Sequence, residues 1–180
     1  PYERAIANEG QAIAQRHLAE ARTKYTKRVH RVIDAREKQN KVVEWPRNPL
    51  SQILYTAATT GYADMPRPKA YTNDSLAGTL SAEQIKERGR VKVNFQIESP
   101  PASGNFKDTT MFEPLSLDKI HRFRIMEDWI FDAQHSDLRP RIIAIAPLYN
   151  LVSETGIDLG EAELFWLKMD ELRPILAQQE

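Results

Sequence analysis

This 180-residue chain contains no cysteine, and this absence excludes several classes of function. The chain can form no disulfide, has no thiol nucleophile and offers no thiolate to a metal, yet both a cytoplasmic protein and a periplasmic protein built without disulfides fit this composition. Its 25 Lys and Arg residues balance its 25 Asp and Glu residues, so net charge gives no reason to expect nucleic acid or an anionic membrane as a partner. No apolar run approaches the roughly 18–20 residues that span a bilayer.

Motifs for catalysis are also missing. The sequence has no P-loop, no Gly-rich nucleotide fingerprint, no G-x-S-x-G elbow and no H-E-x-x-H helix, so we expect neither an enzyme nor a bound cofactor. The chain starts at Pro1, without an initiator Met or a signal-like apolar segment. We interpret it as a mature or trimmed product, for which a missing signal peptide is no evidence against export.

The most strongly patterned stretch covers residues 119–148. Between 121 and 132 a mostly apolar face alternates with a charged face, which is typical of a half-buried antiparallel strand. The apolar face carries His121, Phe123, Ile125, Glu127, Trp129 and Phe131. A polar connection at 133–139 leads to an apolar run at 141–146, and Pro147 is expected to end it because proline cannot donate to a sheet ladder. These two strands predict a hairpin in the middle of a sheet.

A helix over residues 120–131 is the alternative interpretation of this pattern. It would place Ile120, Phe123, Glu127 and Ile130 on one stripe. The helix scatters Trp129 and Phe131 away from that stripe, whereas the strand keeps both on the apolar face. We therefore favour the strand.

The N-terminal part predicts two helices separated by a basic segment. Residues 3–24 carry a thin apolar stripe at helical spacing, and a helix with so thin a stripe must pack on its own domain or dock on another chain. Residues 26–44 are basic and mixed, and we interpret them as a solvated face with local ion pairs. Asn48 as the N-cap and Pro49 as the first helical residue predict the start of the second helix, which Gly61 ends.

A surface loop is predicted next, at residues 62–79. This stretch contains Pro66, Pro68 and Gly78, and it has little apolar periodicity. Because loops of this kind run over the surface of a domain, the segment is also a candidate for contact with a partner.

The following segments predict a short helix and two strands. Ser81 and Gln84 have the spacing of a capping box, which opens a helix that Gly89 ends. Residues 91–98 alternate regularly between apolar and polar side chains, and residues 106–112 have the composition of a returning strand.

The C-terminal part completes the expected fold. Residues 149–160 are predicted to form a loop, and residues 170–179 a closing helix with Asp170 as its N-cap. The sum is an α+β protein: an antiparallel sheet of about four to five strands with flanking helices and an N-terminal helical arm. The expected division is an arm at 1–24 and a single α+β domain at 25–180.

Imidazole and carboxylate groups concentrate near the predicted hairpin loop. They are His121, Glu127, Asp128, Asp132, His135 and Asp137. A zinc or acid–base site needs such groups to converge. His121 and Glu127 lie about 20 Å apart along one strand at roughly 3.3 Å per residue, which excludes joint ligation by that pair. A ligand- or metal-binding module at residues 132–137, built on Asp132 and His135, stays open beside the commoner explanation of a polar loop.

Glu127 is unusual because it shares a face with aromatic residues. A carboxylate in such a place is costly unless it is paired, and arginine is its natural partner. We therefore expect Glu127 to be a structural buried charge that pairs with Arg31, Arg141 or Arg173.

Five segments that occur in a fixed order carry a family resemblance. They are Arg31–Asn40, Trp45–Leu50, Arg124–Asp132, Arg141–Pro147 and Leu164–Leu167. Together they resemble the GldN/PorN family of gliding-motility and type IX secretion proteins, most closely its PorN branch, and the resemblance covers about residues 28–180.

The resemblance implies a non-enzymatic periplasmic protein of the type IX (Por) secretion machinery, associated with the outer membrane. Members of the family form a large ring with an outer-membrane lipoprotein of the GldK/PorK type and contact the periplasmic part of a GldM/PorM-type protein. The resemblance supplies no catalytic, cofactor, metal or motif-level binding residues. Contact residues are therefore predicted from the sequence pattern alone: Ile6, Ile13 and Leu18 on the N-terminal helix, and Pro66 and Pro68 in the loop.

Overall fold

The computed structural model describes residues 12, 15, 18, 23–98, 106–153 and 157–179. At 91–98, 106–113 and 152 it describes the backbone only. Nine strands and three helices follow one another along these residues. The strands are β1 (Thr23–Asp34), β2 (Ala70–Tyr71), β3 (Thr79–Leu80), β4 (Val91–Glu98), β5 (Phe106–Glu113), β6 (Arg122–Asp132), β7 (Asp137–Val152), β8 (Asp158–Glu163) and β9 (Trp166–Lys168). The helices are α1 (Leu50–Thr59), α2 (Ala82–Arg88) and α3 (Met169–Gln178), and 3-10 helices cover Lys38–Glu44 and Leu117–Lys119.

The main sheet has seven strands in the order β1-β6-β7-β9-β2-β3, with β8 beside β7. β6 pairs antiparallel with β1 on one side and with β7 on the other, so the predicted hairpin does lie in the middle of the sheet. β4 and β5 pair with each other as a separate two-stranded sheet, which confirms the strands predicted at 91–98 and 106–112. The predicted α+β class is thus confirmed, with more strands than expected.

Two edge strands account for much of the difference. β1 falls in the segment interpreted as a solvated basic face, and β8 overlaps the stretch 149–160 that was predicted to be a loop. Most of their side chains are exposed, and among the described residues each strand has a neighbour on one side only. Such edge strands lack the apolar alternation by which a half-buried strand is detected.

β7 continues through Pro147 to Val152, so the prediction that Pro147 ends the strand is wrong. The edge of β7 that faces away from β6 pairs with two strands in turn. β9 pairs with Ala144 and Ile145, and β8 pairs with β7 from Leu148 onward. Pro147 lies opposite the gap between these strands, where its carbonyl accepts a 3.0 Å hydrogen bond from the Leu164 N–H. The N–H and C=O of a strand residue point to the same side, so the missing N–H of proline faces a gap in the ladder.

The main core lies between one face of the sheet and helices α1 and α3. Its buried members include Leu54, Ala57, Ala58, Phe123, Ile125, Ile145, Phe165, Leu167, Leu172 and Ile175. Full burial of a large apolar side chain contributes about 1.5–3 kcal/mol to folding, so these contacts are the main force that holds the helices on the sheet. The buried face of α1, with Ile53, Leu54, Ala57 and Ala58 at helical spacing, faces this core.

A smaller apolar cluster covers part of the opposite face. It consists of Tyr71, Met126, Ala144, Ala146 and Trp166, with Leu76 packed against it. Tyr71 belongs to β2, and β3 follows closely, so the prediction of a loop throughout 62–79 is wrong at these two strands. Each has only two residues, which is too short to show a periodic pattern.

The start of α1 differs by one residue from its prediction, and its end agrees. Pro49 is the N-cap, and the Asn48 side chain instead donates a 2.8 Å hydrogen bond to Oε1 of Gln179, near the end of α3. Gly61 follows the helix with a φ of +78° and donates its N–H to the Thr56 carbonyl at 2.7 Å. This left-handed conformation explains why glycine ends the helix.

Helix α2 opens with the predicted capping box. The Gln84 N–H donates to Oγ of Ser81 at 3.3 Å, and the Ser81 N–H donates to Oε1 of Gln84 at 2.8 Å. Gly89 is the C-cap, as predicted. Helix α3 begins at Met169 with Lys168 as its N-cap, so the N-cap predicted at Asp170 lies two residues too far along the chain.

The N-terminal arm lies largely outside the described residues. Of the helix predicted at 3–24, positions 12, 15 and 18 are described and belong to no helix or strand. Its predicted end near residue 24 is wrong, because β1 begins at Thr23. In the part of the chain that the structure describes, no helix is long and apolar enough to cross a membrane.

Candidate functional site

Glu127 lies buried in the middle of β6. Its Oε1 accepts a 2.6 Å hydrogen bond from Nη2 of Arg31 on β1, and its Oε2 accepts a 3.1 Å bond from the indole N–H of Trp129. Arg31 is thus the partner among the three arginines considered from the sequence. Because each oxygen of this carboxylate has a donor, Glu127 is held in place by contacts that join two strands.

Asp132 and His135 meet in the turn between β6 and β7. Oδ2 of the buried Asp132 lies 2.7 Å from Nδ1 of His135, and its Oδ1 accepts a 3.0 Å hydrogen bond from the Gln134 N–H. The hydrogen bond from His135 lowers the pKa of Asp132 below its ordinary value, and backbone N–H groups of the turn act in the same direction. The carboxylate therefore organises the turn that reverses the chain.

The remaining acidic and imidazole groups near the hairpin have separate partners. Asp137 accepts a 2.8 Å hydrogen bond from Nε of Arg139, and Asp128 accepts two hydrogen bonds, of 2.7 and 2.8 Å, from the guanidinium of Arg28. His121 pairs with Glu44.

These pairs bear on the alternative of a metal site at 132–137. In the described part of the chain, no three His, Asp or Glu side chains converge so as to hold a metal ion. Asp132 and His135 supply two groups, whereas a zinc site takes three or four protein ligands. The described geometry fits a structural turn, and it gives the metal-site alternative no third ligand.

The contact residues predicted from the sequence lie in different environments. Ile6 and Ile13 are outside the described residues. Leu18 is half-buried and borders a cleft of about 400 Å³ that Pro140, Ile142 and residues of α3 also line. In the loop, Pro66 is exposed, whereas Pro68 is buried and its side chain cannot form part of an open surface.

Exposed apolar side chains that the sequence analysis did not single out form a groove beside the 3-10 helix Lys38–Glu44. Val42 is 84% exposed and Trp45 is 55% exposed. With Val43, Leu50 and Ile53 they line a space of about 360 Å³, which we call the apolar groove. Asn48 and Gln179, which hydrogen bond to each other, stand at its edge.

The end of the β7–β8 hairpin carries a second set of exposed apolar side chains. Leu151, Ile157 and Leu159 are exposed there, and we call them the hairpin tip. The Ser153 N–H donates to the Ile157 carbonyl at 2.8 Å, and Oδ1 of Asp158 accepts from the Gly160 N–H at 2.8 Å, so the described ends of this connection are hydrogen bonded.

Charge is distributed unevenly between these two regions, although the whole chain is neutral. Residues 23–47, which include β1 and the 3-10 helix of the groove, contain eight Lys and Arg against three Asp and Glu, a net charge of +5. Residues 148–163, which include the hairpin tip, contain four acidic residues and no Lys or Arg, a net charge of −4. Part of this charge is neutralised within the fold. Arg28 and Arg31 pair with Asp128 and Glu127, and Glu161 and Glu163 pair with Arg122 and Arg124. The remaining charges of opposite sign favour association in a defined orientation.

Chemically, the described residues offer surfaces for contact. The carboxylates and imidazoles considered above form pairs within the fold. The side chains left exposed in the apolar groove and at the hairpin tip are apolar. Exposed apolar patches on a folded domain mark sites of interaction. The sequence did carry a signal for the apolar groove, since Val42, Val43 and Trp45 concentrate apolar surface within a charged segment.

Comparison with protein families identifies the family to which the chain belongs. A family model described as "Gliding motility associated protein GldN" matches residues 18–180, which include every strand and helix described above. No curated protein matches the chain.

Proposed function

Because this chain belongs to the GldN family of gliding-motility-associated proteins, we propose that it is a structural subunit of the type IX secretion machinery. In this role it supports the transport of proteins across the outer membrane and, in gliding relatives, motility. The match over residues 18–180 is the observation that carries the proposal. It agrees with the family resemblance found from five ordered sequence segments.

We further propose that the protein works without catalytic turnover. The groups that general acid–base chemistry would need have structural partners: Glu127 is bound by Arg31, and Asp132 by His135. A catalytic carboxylate must reach its substrate, whereas both of these are buried. The protein would then act through its surfaces.

The proposed setting is the periplasm, in association with the outer membrane. The proposed partners are an outer-membrane lipoprotein of the GldK/PorK type and the periplasmic part of a GldM/PorM-type protein, and copies of the chain are proposed to associate in a ring with the lipoprotein. The family match and the exposed apolar surfaces support these partners, since a subunit of a large assembly needs surface for several contacts.

The proposed contact surfaces are the N-terminal arm, through Ile6, Ile13 and Leu18, and the loop 62–79, through Pro66. β1 begins at Thr23, so a deletion of residues 1–22 removes the arm and keeps every described strand. This deletion is therefore a sharper test than one that ends at residue 24.

The experiment is co-purification of the full chain with its lipoprotein partner, followed by light scattering. We expect a stable complex much larger than a one-to-one pair, and we expect the deletion of residues 1–22 to lower its yield while the cooperative melting transition persists. The absence of any large complex with the folded full chain would contradict the proposed function. An unchanged yield after the deletion would remove the arm from the interface and leave the function intact.

A further inference from the structure

We propose that the hairpin tip of one copy of this chain docks in the apolar groove of a second copy. The inference rests on the proposed self-association and names the two surfaces that meet. One chain carries both an exposed apolar projection (Leu151, Ile157 and Leu159) and an exposed apolar recess beside Val42 and Trp45. Burying each against the other removes from water the exposed apolar surface of Val42 and Trp45 on one copy and of Leu151, Ile157 and Leu159 on the other.

The apolar side chains at the hairpin tip are open to contact. Ile157 and Leu159 are 63% and 64% exposed, and a β-bulge at Leu159 interrupts the regular alternation of the strand there. The groove is a recess of about 360 Å³, lined by the exposed Trp45 and Val42 and by Leu50 and the buried Ile53. Tryptophan is among the residue types enriched at the energetic centres of protein interfaces.

Electrostatics favour the same pairing. Lys41 and Arg47 flank Val42 and Trp45 in the chain, within a region of net charge +5. Asp158 lies between Ile157 and Leu159. Farther along β8, Glu161 and Glu163 pair with Arg122 and Arg124 of the same chain, so Asp158 is the described acidic group of the tip that can meet a second copy. Groove against tip therefore brings opposite charges together, whereas groove against groove or tip against tip would bring like charges together at a cost.

A contact between two different surfaces of identical chains has a consequence for assembly. Each copy that receives a hairpin tip still presents its own tip to the next copy, so the contact is heterologous. A heterologous contact propagates from copy to copy and closes into a ring when its rotation permits. An isologous pair of copies would instead stop at a dimer.

The natural absence of cysteine allows a direct test with two single-cysteine proteins, Val42→Cys and Leu159→Cys. Both positions are exposed, so each protein should keep the melting transition of the parent chain. The two proteins are oxidised separately and as a mixture, alone and within the complex with the lipoprotein. Lys86→Cys, at an exposed position on α2, replaces either partner as the matched control.

We expect the mixture of Val42→Cys and Leu159→Cys to form a disulfide-linked dimer in several-fold higher yield than either protein alone or any mixture with Lys86→Cys. Adding Trp45→Ala to the Val42→Cys protein should lower that yield. Raising the ionic strength from about 0.05 M to about 0.5 M should also lower it, because salt screens the attraction between the two charged regions.

Two outcomes would overturn the inference. A mixed dimer no more abundant than the Lys86→Cys controls, both alone and in the complex, would show that groove and tip do not meet. Equal cross-linking of Val42→Cys with itself would show an isologous contact. Light scattering separates a failure of this inference from a failure of the proposed function. A large complex with the lipoprotein but without the mixed cross-link would support the proposed function and contradict this interface. The mixed cross-link without lipoprotein binding would support this interface and contradict the proposed function.

Discussion

Arg31 on β1 donates a 2.6 Å hydrogen bond to the carboxylate of Glu127 on β6. The arginine side chain is 55% exposed, whereas the glutamate side chain is only 2% exposed. The acceptor thus lies within the fold and its donor reaches it from the surface. Three residues earlier on the same strand, Arg28 pairs with Asp128, and there the side chains are 53% and 17% exposed. The two pairs differ in the burial of the acceptor and in the number of hydrogen bonds, since Arg28 donates two to Asp128 and Arg31 donates one to Glu127.

Removal of Arg31 should therefore cost more stability than removal of Arg28. Arg31→Met leaves the buried carboxylate of Glu127 with Trp129 as its remaining described donor, and a lost hydrogen bond to a buried charged group costs about 1.5–3 kcal/mol. Arg28→Met breaks a more exposed pair, for which a loss below about 1 kcal/mol is typical. Urea denaturation of both variants measures the free energy of unfolding. Equal losses would show that burial of the acceptor does not set the cost.

The double variant Arg31→Met with Glu127→Leu tests the same point from the opposite direction. Replacing both members of a buried charged pair by apolar residues is often neutral or stabilising, because no charge is then left without a partner. We expect this variant to recover most of the stability that Arg31→Met loses. A loss equal to the sum of the two single changes would mean that the two residues act independently.

The capping box of α2 gives a matched pair of serines. The Ser81 side chain accepts the Gln84 N–H at the start of α2, whereas Ser116, the N-cap of a 3-10 helix, makes no side-chain capping hydrogen bond. Ser81→Ala should lower the free energy of unfolding by about 1 kcal/mol. Ser116→Ala should change it by less than about 0.5 kcal/mol. Denaturation with amide hydrogen exchange in α2 would reveal whether the loss is local instead of global.

Gly89 lies against Leu115, and the contact leaves no room for a side chain. A Cβ added at Gly89 would stand 2.7 Å from Cβ of Leu115, which is fixed to the backbone. At Gly78 an added Cβ would meet Oγ1 of Thr72 at 2.7 Å, and a χ1 rotation of Thr72 relieves this contact at the cost of its long, 3.3 Å hydrogen bond to the Gly78 carbonyl. Gly89→Ala should therefore cost about 1–3 kcal/mol. Gly78→Ala should cost less in the same thermal or urea denaturation, and the reverse order would contradict this explanation.

The sequence predicted those parts of the fold whose pattern reflects burial. Phe123 and Ile125 alternate with charged residues, so the central strand and its hairpin were predictable. β1 and β8 are exposed at the edges, and exposure leaves no periodic signal. The need of Glu127 for an arginine could be foreseen, but the choice of Arg31 depends on the register in which Val29 faces Glu127, and a single sequence does not specify register.

The apolar groove was harder to predict because it is made from distant segments. Trp45 and Leu50 are close in the chain, but the edge of the groove requires Gln179 to reach Asn48, 131 residues away. Local propensity contains no information on such a contact. The proximity of Asp132 and His135 could be foreseen, since both belong to one turn, and the described residues place no third metal ligand beside them.

The Asp132 carboxylate should make stability depend on pH in the acidic range. Its pKa is lowered in the folded protein, chiefly by the hydrogen bond from His135, whereas an unfolded aspartate titrates at about 3.9. The unfolded chain therefore binds the proton more readily than the folded chain. The stabilisation of the folded state by the ionised Asp132 carboxylate is fully present above pH values near 4, and it is lost as pH falls through the lowered folded pKa. Asp128, whose pKa Arg28 lowers, acts in the same direction.

Asp132→Asn should consequently be less stable than the parent chain at pH 6. The difference in free energy of unfolding between the two proteins should shrink toward pH 2 in urea denaturation series. Asp137→Asn, which removes an exposed carboxylate, should follow the parent profile. A difference between Asp132→Asn and the parent that stays constant over this range would mean that Asp132 stabilises the turn through its shape and not through its charge.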